Sequence, residues 1–135
     1  MKRNLLSVLM LIGTGAFIFS ACEKQPGSGG DASIKGSVFV THYNSTFTEF
    51  ISEYPGADIY VYIIYGDNIS YGQRIKTNYQ GDFEFKYLYE GDYTLYVYSL
   101  DSTLTSPSGN IAVTKTVSIK DRKGTVDAGT FNIFQ

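Results

Sequence analysis

The sequence predicts an all-β domain made of two packed sheets, and three observations predict it. The first is residues 77–99, TNYQGDFEFKYLYEGDYTLYVYS, which alternate with a period of two over most of their length. Phe83 and Phe85 alternate with Asp82, Glu84 and Lys86, giving one apolar and one charged face, and Leu88 closes that strand. Tyr93, Leu95 and Val97 then alternate with Thr94, Tyr96 and Tyr98. Glu90-Gly91-Asp92 between the two runs is a turn signal, because Gly91 takes φ > 0 without steric cost, so a hairpin is expected. The second observation is composition: 12 Tyr and 9 Phe with no Trp, beside many Val, Ile and Thr, favour strands. The third is punctuation by Gly-, Asn- and Asp-bearing turns between short alternating runs.

The 135 residues suit one domain. Before it stands a different kind of segment. Lys2 and Arg3 precede an apolar run over residues 5–19, the charged and apolar regions of a secretory signal. The run is short for a bilayer span, which needs about 20 residues. Phe19-Ser20-Ala21-Cys22 follows directly and resembles the lipobox of bacterial lipoproteins, with Phe19 where that pattern prefers Leu. The resemblance implies a signal peptide over residues 1–21, cleavage before Cys22, and acylation of Cys22 by chains such as palmitate. The alternative is a free thiol in an ordinary signal peptide. Cleavage leaves 114 residues and, with Lys2 and Arg3 gone, 9 basic against 13 acidic side chains, a formal charge of −4 in place of −2. Residues 22–32 are expected as a flexible lipidated tether, since residues 23–31 are rich in Gly and hold no apolar residue that could join a core. Glu23 resembles, weakly, the acidic export signals of surface-exposed Bacteroidetes lipoproteins.

The domain is expected over residues 33–135. Ile34, Gly36, Val38 and Val40 share one face of a first strand. Residues 43–54 fit either a short helical turn, since Phe47, Phe50 and Ile51 recur at spacings of three and four, or an irregular excursion ended by Pro55-Gly56. A second strand over 57–65 has Ala57, Ile59, Val61 and Ile63 on one face and Tyr60 and Tyr62 on the other; both faces are largely apolar, as in a central strand. After the Gly66-Asp67-Asn68 turn a third, more polar strand surrounds Ile75. The run over 77–99 supplies the fourth and fifth. A long polar loop spans 100–110, and strands over 111–119 and 125–134 finish the chain. Seven short strands in about 100 residues is the pattern of a seven-stranded immunoglobulin-like β-sandwich. The expected core is Ile34, Val38, Ala57, Ile59, Val61, Ile75, Phe83, Phe85, Leu88, Tyr93, Leu95, Val97, Val117, Ile119, Phe131 and Ile133.

Several of these segments stand in a familiar order: Ile34-Lys35-Gly36-Ser37-Val38, Gly56-Ala57-Asp58-Ile59, Thr77, Gly81-Asp82-Phe83-Glu84-Phe85, Leu88 and Gly91-Asp92-Tyr93. They resemble the carboxypeptidase regulatory-like domains, a transthyretin-like β-sandwich group. Asn78 stands where that group often has Asp, and residues 43–54 look like an insertion. The resemblance implies structural roles for the shared glycines and aromatics and carries no catalytic residues. A copy standing alone on a lipid anchor is expected to act through its own surface.

Composition narrows the chemistry. A charge near zero provides no basic footprint for nucleic acid. One Cys and one His permit neither an intrachain disulfide nor a His/Cys zinc cluster. A Ser/His/Asp or Cys/His mechanism lacks parts, so no catalytic residue, metal or cofactor is expected, and His42 reads as a loop residue. Asp82, Glu84, Glu90 and Asp92 cluster in sequence, which fits glycoside hydrolysis or calcium in principle but has no calcium-loop spacing. Tyr60, Tyr62, Tyr96 and Tyr98 are the better signal. If the second and fifth strands are neighbours, these four share one outer face, either as a binding platform for sugar or protein or as cross-strand packing. Asp101-Ser102-Thr103 resembles a short O-glycosylation motif, with Ser102 the acceptor; an unmodified loop is the alternative. The expected protein is a non-enzymatic, outer-membrane-anchored binding or assembly module with an envelope protein or a glycan as partner.

Overall fold

The computed structural model describes residues 25–135. The signal segment, Cys22 and the first residues of the expected tether lie outside the described residues. Eight strands form two four-stranded sheets that pack face to face as a β-sandwich. β1 (Ser28–Tyr43) is the hub of the first sheet. β5 (Asp82–Leu88) pairs antiparallel with its N-terminal part and β2 (Phe50–Pro55) with its C-terminal part, while β8 (Thr125–Phe134) runs parallel along its other edge. The second sheet has the order β4 (Gln73–Lys76), β3 (Tyr60–Tyr65), β6 (Gly91–Leu100), β7 (Asn110–Ile119), all antiparallel.

Period-two patterning builds the core. Ile34, Val38 and Val40 from β1, Val61 and Ile63 from β3, Phe83, Phe85 and Leu88 from β5, Tyr93, Leu95 and Val97 from β6, and Ile119, Phe131 and Ile133 are buried between the sheets. Ile59, Ile75 and Val117 pack against this cluster while partly open. Ala57, expected inside, lies in the turn before β3 and outside the cluster. The spacing of Phe83, Phe85 and Leu88 breaks strict alternation, and a bulge explains it. Ile34 faces Phe85 and Ala32 faces Leu88, so β5 advances three residues while β1 advances two. Tyr87 absorbs the extra residue at φ 61° and is left exposed, and Leu88 returns to the core.

The expected hairpin over residues 77–99 is not one. Its two strands exist within those residues, but β5 pairs with β1 in the first sheet and β6 pairs with β3 and β7 in the second. The link is an arch between sheets. Gly91 sits at φ 142°, and a Cβ there would stand 2.3 Å from Pro26 Cγ. Tyr93 locks the arch: its hydroxyl donates to the Tyr89 carbonyl at 2.6 Å and accepts from the Gly27 amide at 2.9 Å. A tyrosine bonding back to backbone a few residues upstream is a recurrent device at sandwich corners.

Three further expectations are revised. An eighth strand, β2, occupies part of residues 43–54; the recurrence of Phe47 and Phe50 reflects ring packing on Tyr43 and not helical periodicity. Asn44 Oδ1 accepts from the Thr48 and Glu49 amides and shapes the intervening turn. His42 belongs to β1, opposite Ser52, and is not a loop residue. Residues 28–32, expected as tether, are strand. Their glycines serve close approach: a Cβ on Gly30 would stand 2.1 Å from the Leu88 carbonyl oxygen, so linker-like composition here marks tight backbone packing.

Candidate functional site

The outer face of the second sheet carries the most distinctive side chains. Val61 and Ile63 point inward, so the pleat turns Tyr60 and Tyr62 outward; Leu95 and Val97 do the same for Tyr96 and Tyr98. β3 and β6 are direct neighbours, and Tyr62 lies opposite Tyr96. Their rings stack at 4.8 Å and 5°. Tyr98 stands edge-on to both, 5.7 Å from Tyr62 at 77° and 5.7 Å from Tyr96 at 81°. Tyr60 lies 6.2 Å from Tyr62, and Tyr71, in the turn before β4, meets Tyr62 edge-on at 5.0 Å. Such offset and edge contacts are each worth about 0.5–1.5 kcal/mol beyond burial.

The cluster is partly spent on itself and partly open. Tyr62 and Tyr96 are half-buried and cover one face of each other, whereas Tyr98, Tyr71 and Tyr60 keep 53%, 45% and 39% of their surface exposed. The segment over 43–54 lies in the opposite sheet. On β4, Arg74 faces Tyr62 and Lys76 faces Tyr60. The Arg74 guanidinium sits 4.3 Å from the Tyr60 ring centroid and Lys76 Nζ 5.0 Å from it. Lys76 is paired with Asp58 at 3.0 Å, and Arg74 has no ion pair among the described residues. A hydrogen bond donated by the guanidinium to the Tyr62 hydroxyl, and then the neighbouring Tyr60, raise the Arg74 pKa above its already high ordinary value. Burial, followed by the adjacent Tyr98 and Tyr62, raises the Tyr96 pKa. The face thus sets a group of tyrosine rings beside the Arg74 guanidinium and the Asp58-paired Lys76.

The four tyrosines that sequence periodicity singles out are brought together. Tyr71 and Arg74 complete the cluster and were not anticipated. Arg74 alternates with Ile75, so its outward direction is readable from the period; Tyr71 lies in a turn, where no period applies.

Other sequence candidates resolve differently. Asp82 and Glu84 lie on β5 in the first sheet, whereas Asp92 begins β6 in the second and accepts from the Ser118 hydroxyl at 2.5 Å. The arch thus distributes the sequence cluster of carboxylates over two sheets. A cleft of about 460 Å³ on the first sheet is lined by Lys35, Asn78, Asp82, Glu84 and Asp127 among others. Among the described residues no group of three or more His, Cys, Asp or Glu is placed to hold a metal ion. Ser102 is exposed in the loop after β6. Asp101 beside it is buried and organises that loop: Oδ1 accepts from the Thr103 amide and hydroxyl at 2.9 and 2.6 Å, and Oδ2 from the Thr105 and Ser106 amides at 2.9 and 2.7 Å. These bonds, the Thr103 hydroxyl first, hold the Asp101 pKa far below the usual carboxylate range.

No family model matches the chain, and no curated protein matches it. Among solved structures it is similar to a candidate carbohydrate-binding protein, PA1324, from Pseudomonas aeruginosa, at a TM-score of 0.47 and 15% identity over 85% of this chain and 93% of that one. It is also similar to a 9R-lipoxygenase from Cyanothece, at a TM-score of 0.40 and 17% identity over 84% of this chain but 19% of that one.

Proposed function

We propose that this protein is a non-catalytic binding module, tethered to the outer membrane through a lipid on Cys22, and that its ligand face is the tyrosine cluster of the second sheet. The observation that carries the reading is the open part of that cluster: Tyr60, Tyr71 and Tyr98 expose large ring surfaces around the stacked Tyr62/Tyr96 pair. Contiguous exposed aromatic surface is costly in water unless something uses it. Flat rings with polar tips suit the alternating C–H faces and hydroxyls of a sugar chain, so a glycan is the ligand class we favour over an envelope protein. The position fits an anchored module. The described chain enters beside Gly91 and Tyr93 at one end of the sandwich, and Tyr96 and Tyr98 lie toward the other end of β6. Within this reading the domain is a carboxypeptidase regulatory-like sandwich whose motif residues are structural.

The test is a Tyr62→Ser/Tyr96→Ser double variant, screened on a glycan array and by pull-down from envelope extract. Both side chains leave the outer face and none leaves the core, so the thermal transition should remain cooperative. Ligand retained by the parent should be lost. A double variant that keeps every parental ligand would make the tyrosines packing residues and move the search to the 101–109 loop.

A further inference from the structure

We infer that the tyrosine face selects acidic glycans, with Arg74 taking the carboxylate or sulfate of a sugar whose ring lies on the adjoining tyrosines. The inference rests on the binding face proposed above and adds a charge requirement to it. Arg74 and Lys76 stand side by side on β4, but their charges are not equivalent. Lys76 is neutralised by Asp58 at 3.0 Å, whereas Arg74 has no carboxylate partner among the described residues. Arg74 is also held in place: its guanidinium lies 4.3 Å over the Tyr60 ring, opposite Tyr62 in the strand register. A planar guanidinium fixed by stacking presents its N–H donors in a fork that matches a carboxylate or sulfate.

The nearby carboxylate, Asp58, is engaged with Lys76 and makes no ion pair with Arg74 among the described residues. The remaining partners of the cluster are the phenols of Tyr62, Tyr71, Tyr96 and Tyr98, and β7 contributes Thr114 opposite Tyr96. Asp92, on the same face, is at the far end of β6 and engaged with Ser118. The chain as a whole is acidic, formally −2. Nonspecific attraction of polyanions is therefore unfavourable, and binding of an acidic sugar needs this local positive site.

The experiment uses the full chain and three oligosaccharide probes: an oligogalacturonate, the same oligomer as its methyl ester, and a chondroitin sulfate oligomer. Titration calorimetry reads their affinities for the parent, Arg74→Gln, Lys123→Gln and the Tyr62→Ser/Tyr96→Ser variant. Lys123 is an exposed lysine in the turn before β8 and controls for bulk charge. We expect the parent to bind at least one acidic oligomer, with affinity falling as salt rises. Arg74→Gln should weaken that binding about tenfold or more, the usual consequence of losing a charge-assisted contact, and Lys123→Gln should leave it unchanged. The galacturonate and sulfate arms identify which anion the site takes. If acidic and methyl-esterified oligomers bind alike and Arg74→Gln has no effect, the charge inference is overturned while the tyrosine face stands. If neither acidic oligomer binds the parent, or if the ligand recovered from extract is a protein, the acidic-glycan inference is overturned. If the double tyrosine variant binds as the parent does, the face itself is wrong.

Discussion

Phe85 and Glu84 are adjacent in β5 and opposite in environment: the phenyl ring is fully buried against Phe83, and the carboxylate is exposed. Phe85→Ala should therefore cost about 3–5 kcal/mol, the range for truncating a buried aromatic, while Glu84→Ala should change stability little. Urea denaturation midpoints check this, and similar midpoints for the two variants would mean the strand faces are misassigned. Asp101 provides a second test at this scale. Its folded carboxylate holds a proton less tightly than an unfolded one, because five donors from Thr103, Thr105 and Ser106 stabilise the anion. Its contribution is complete above the ordinary carboxylate value of about 3.9 and is lost as pH falls below that toward the depressed folded value. Asp101→Asn offers an NH₂ where one carboxylate oxygen accepts, so two donors meet two donors. The variant should melt at lower temperature at pH 7, and its stability should fall less steeply than the parent's between about pH 4 and pH 2. Parallel melting profiles across that range would contradict the assignment.

At the scale of elements, the fold depends on how the chain crosses between sheets. Four crossings separate the strand groups; Tyr93 staples the β5–β6 arch, and Ser33 holds the β7–β8 connection through the Gly124 carbonyl at 2.9 Å and the Thr125 hydroxyl at 2.9 Å. Thr77 serves two of them. Its buried hydroxyl donates to the Gly56 carbonyl, just before β3, and accepts from the Ile59 amide at 2.9 Å, which ties the β2–β3 and β4–β5 connections together. Thr77→Val preserves shape but removes both bonds and leaves a buried carbonyl and amide without their partner. A loss of about 1–3 kcal/mol is expected, read as a shift in urea midpoint with unchanged slope. A neutral Thr77→Val would mean water or backbone adjustment replaces the staple. The eighth strand shows the other side of element-level physics. β2 exposes residues on both faces, so it has no inward stripe for periodicity to reveal; its existence follows from pairing with β1 and from the Tyr43, Phe47, Phe50 and Phe134 rings at that corner.

For the whole molecule, the N- and C-terminal strands β1 and β8 pair in parallel, so the described chain begins at one end of the sandwich and Gln135 lies at the other. A lipid on Cys22 would hold the first end toward the membrane and present the second. Cys22→Ser should release the protein from washed membranes into the soluble fraction and abolish incorporation of a radiolabelled fatty acid. Each buried methylene contributes about 0.8 kcal/mol, so the difference between acylated and unacylated forms should be complete at working concentrations. Unchanged retention of Cys22→Ser would overturn the anchor. No helix among the described residues is long and apolar enough to cross a membrane.

The sequence by itself determined which faces are inside. Period two is a local property, so Phe83, Phe85, Leu95 and Val97 are legible as core and Tyr60, Tyr62, Tyr96 and Tyr98 as their outward complement without knowing any partner strand. It also determined that the architecture is an all-β sandwich, because alternating runs of this length must bury one face against a second sheet. Tertiary structure alone decided which strands pair. Glu90-Gly91-Asp92 has the same composition whether it closes a hairpin or an arch, and the choice rests on β1 and β3 competing for the edges of β5 and β6. The same competition decided that Asp82 and Asp92 separate onto different sheets and that Tyr62 stacks on Tyr96. Tyr71 joined the cluster from a turn, where backbone path and not periodicity aims the ring. Residues 28–32 became strand for a related reason. Local composition reads Gly29 and Gly30 as freedom, but the approach of Leu88 and Tyr89 makes the missing side chains a condition of packing.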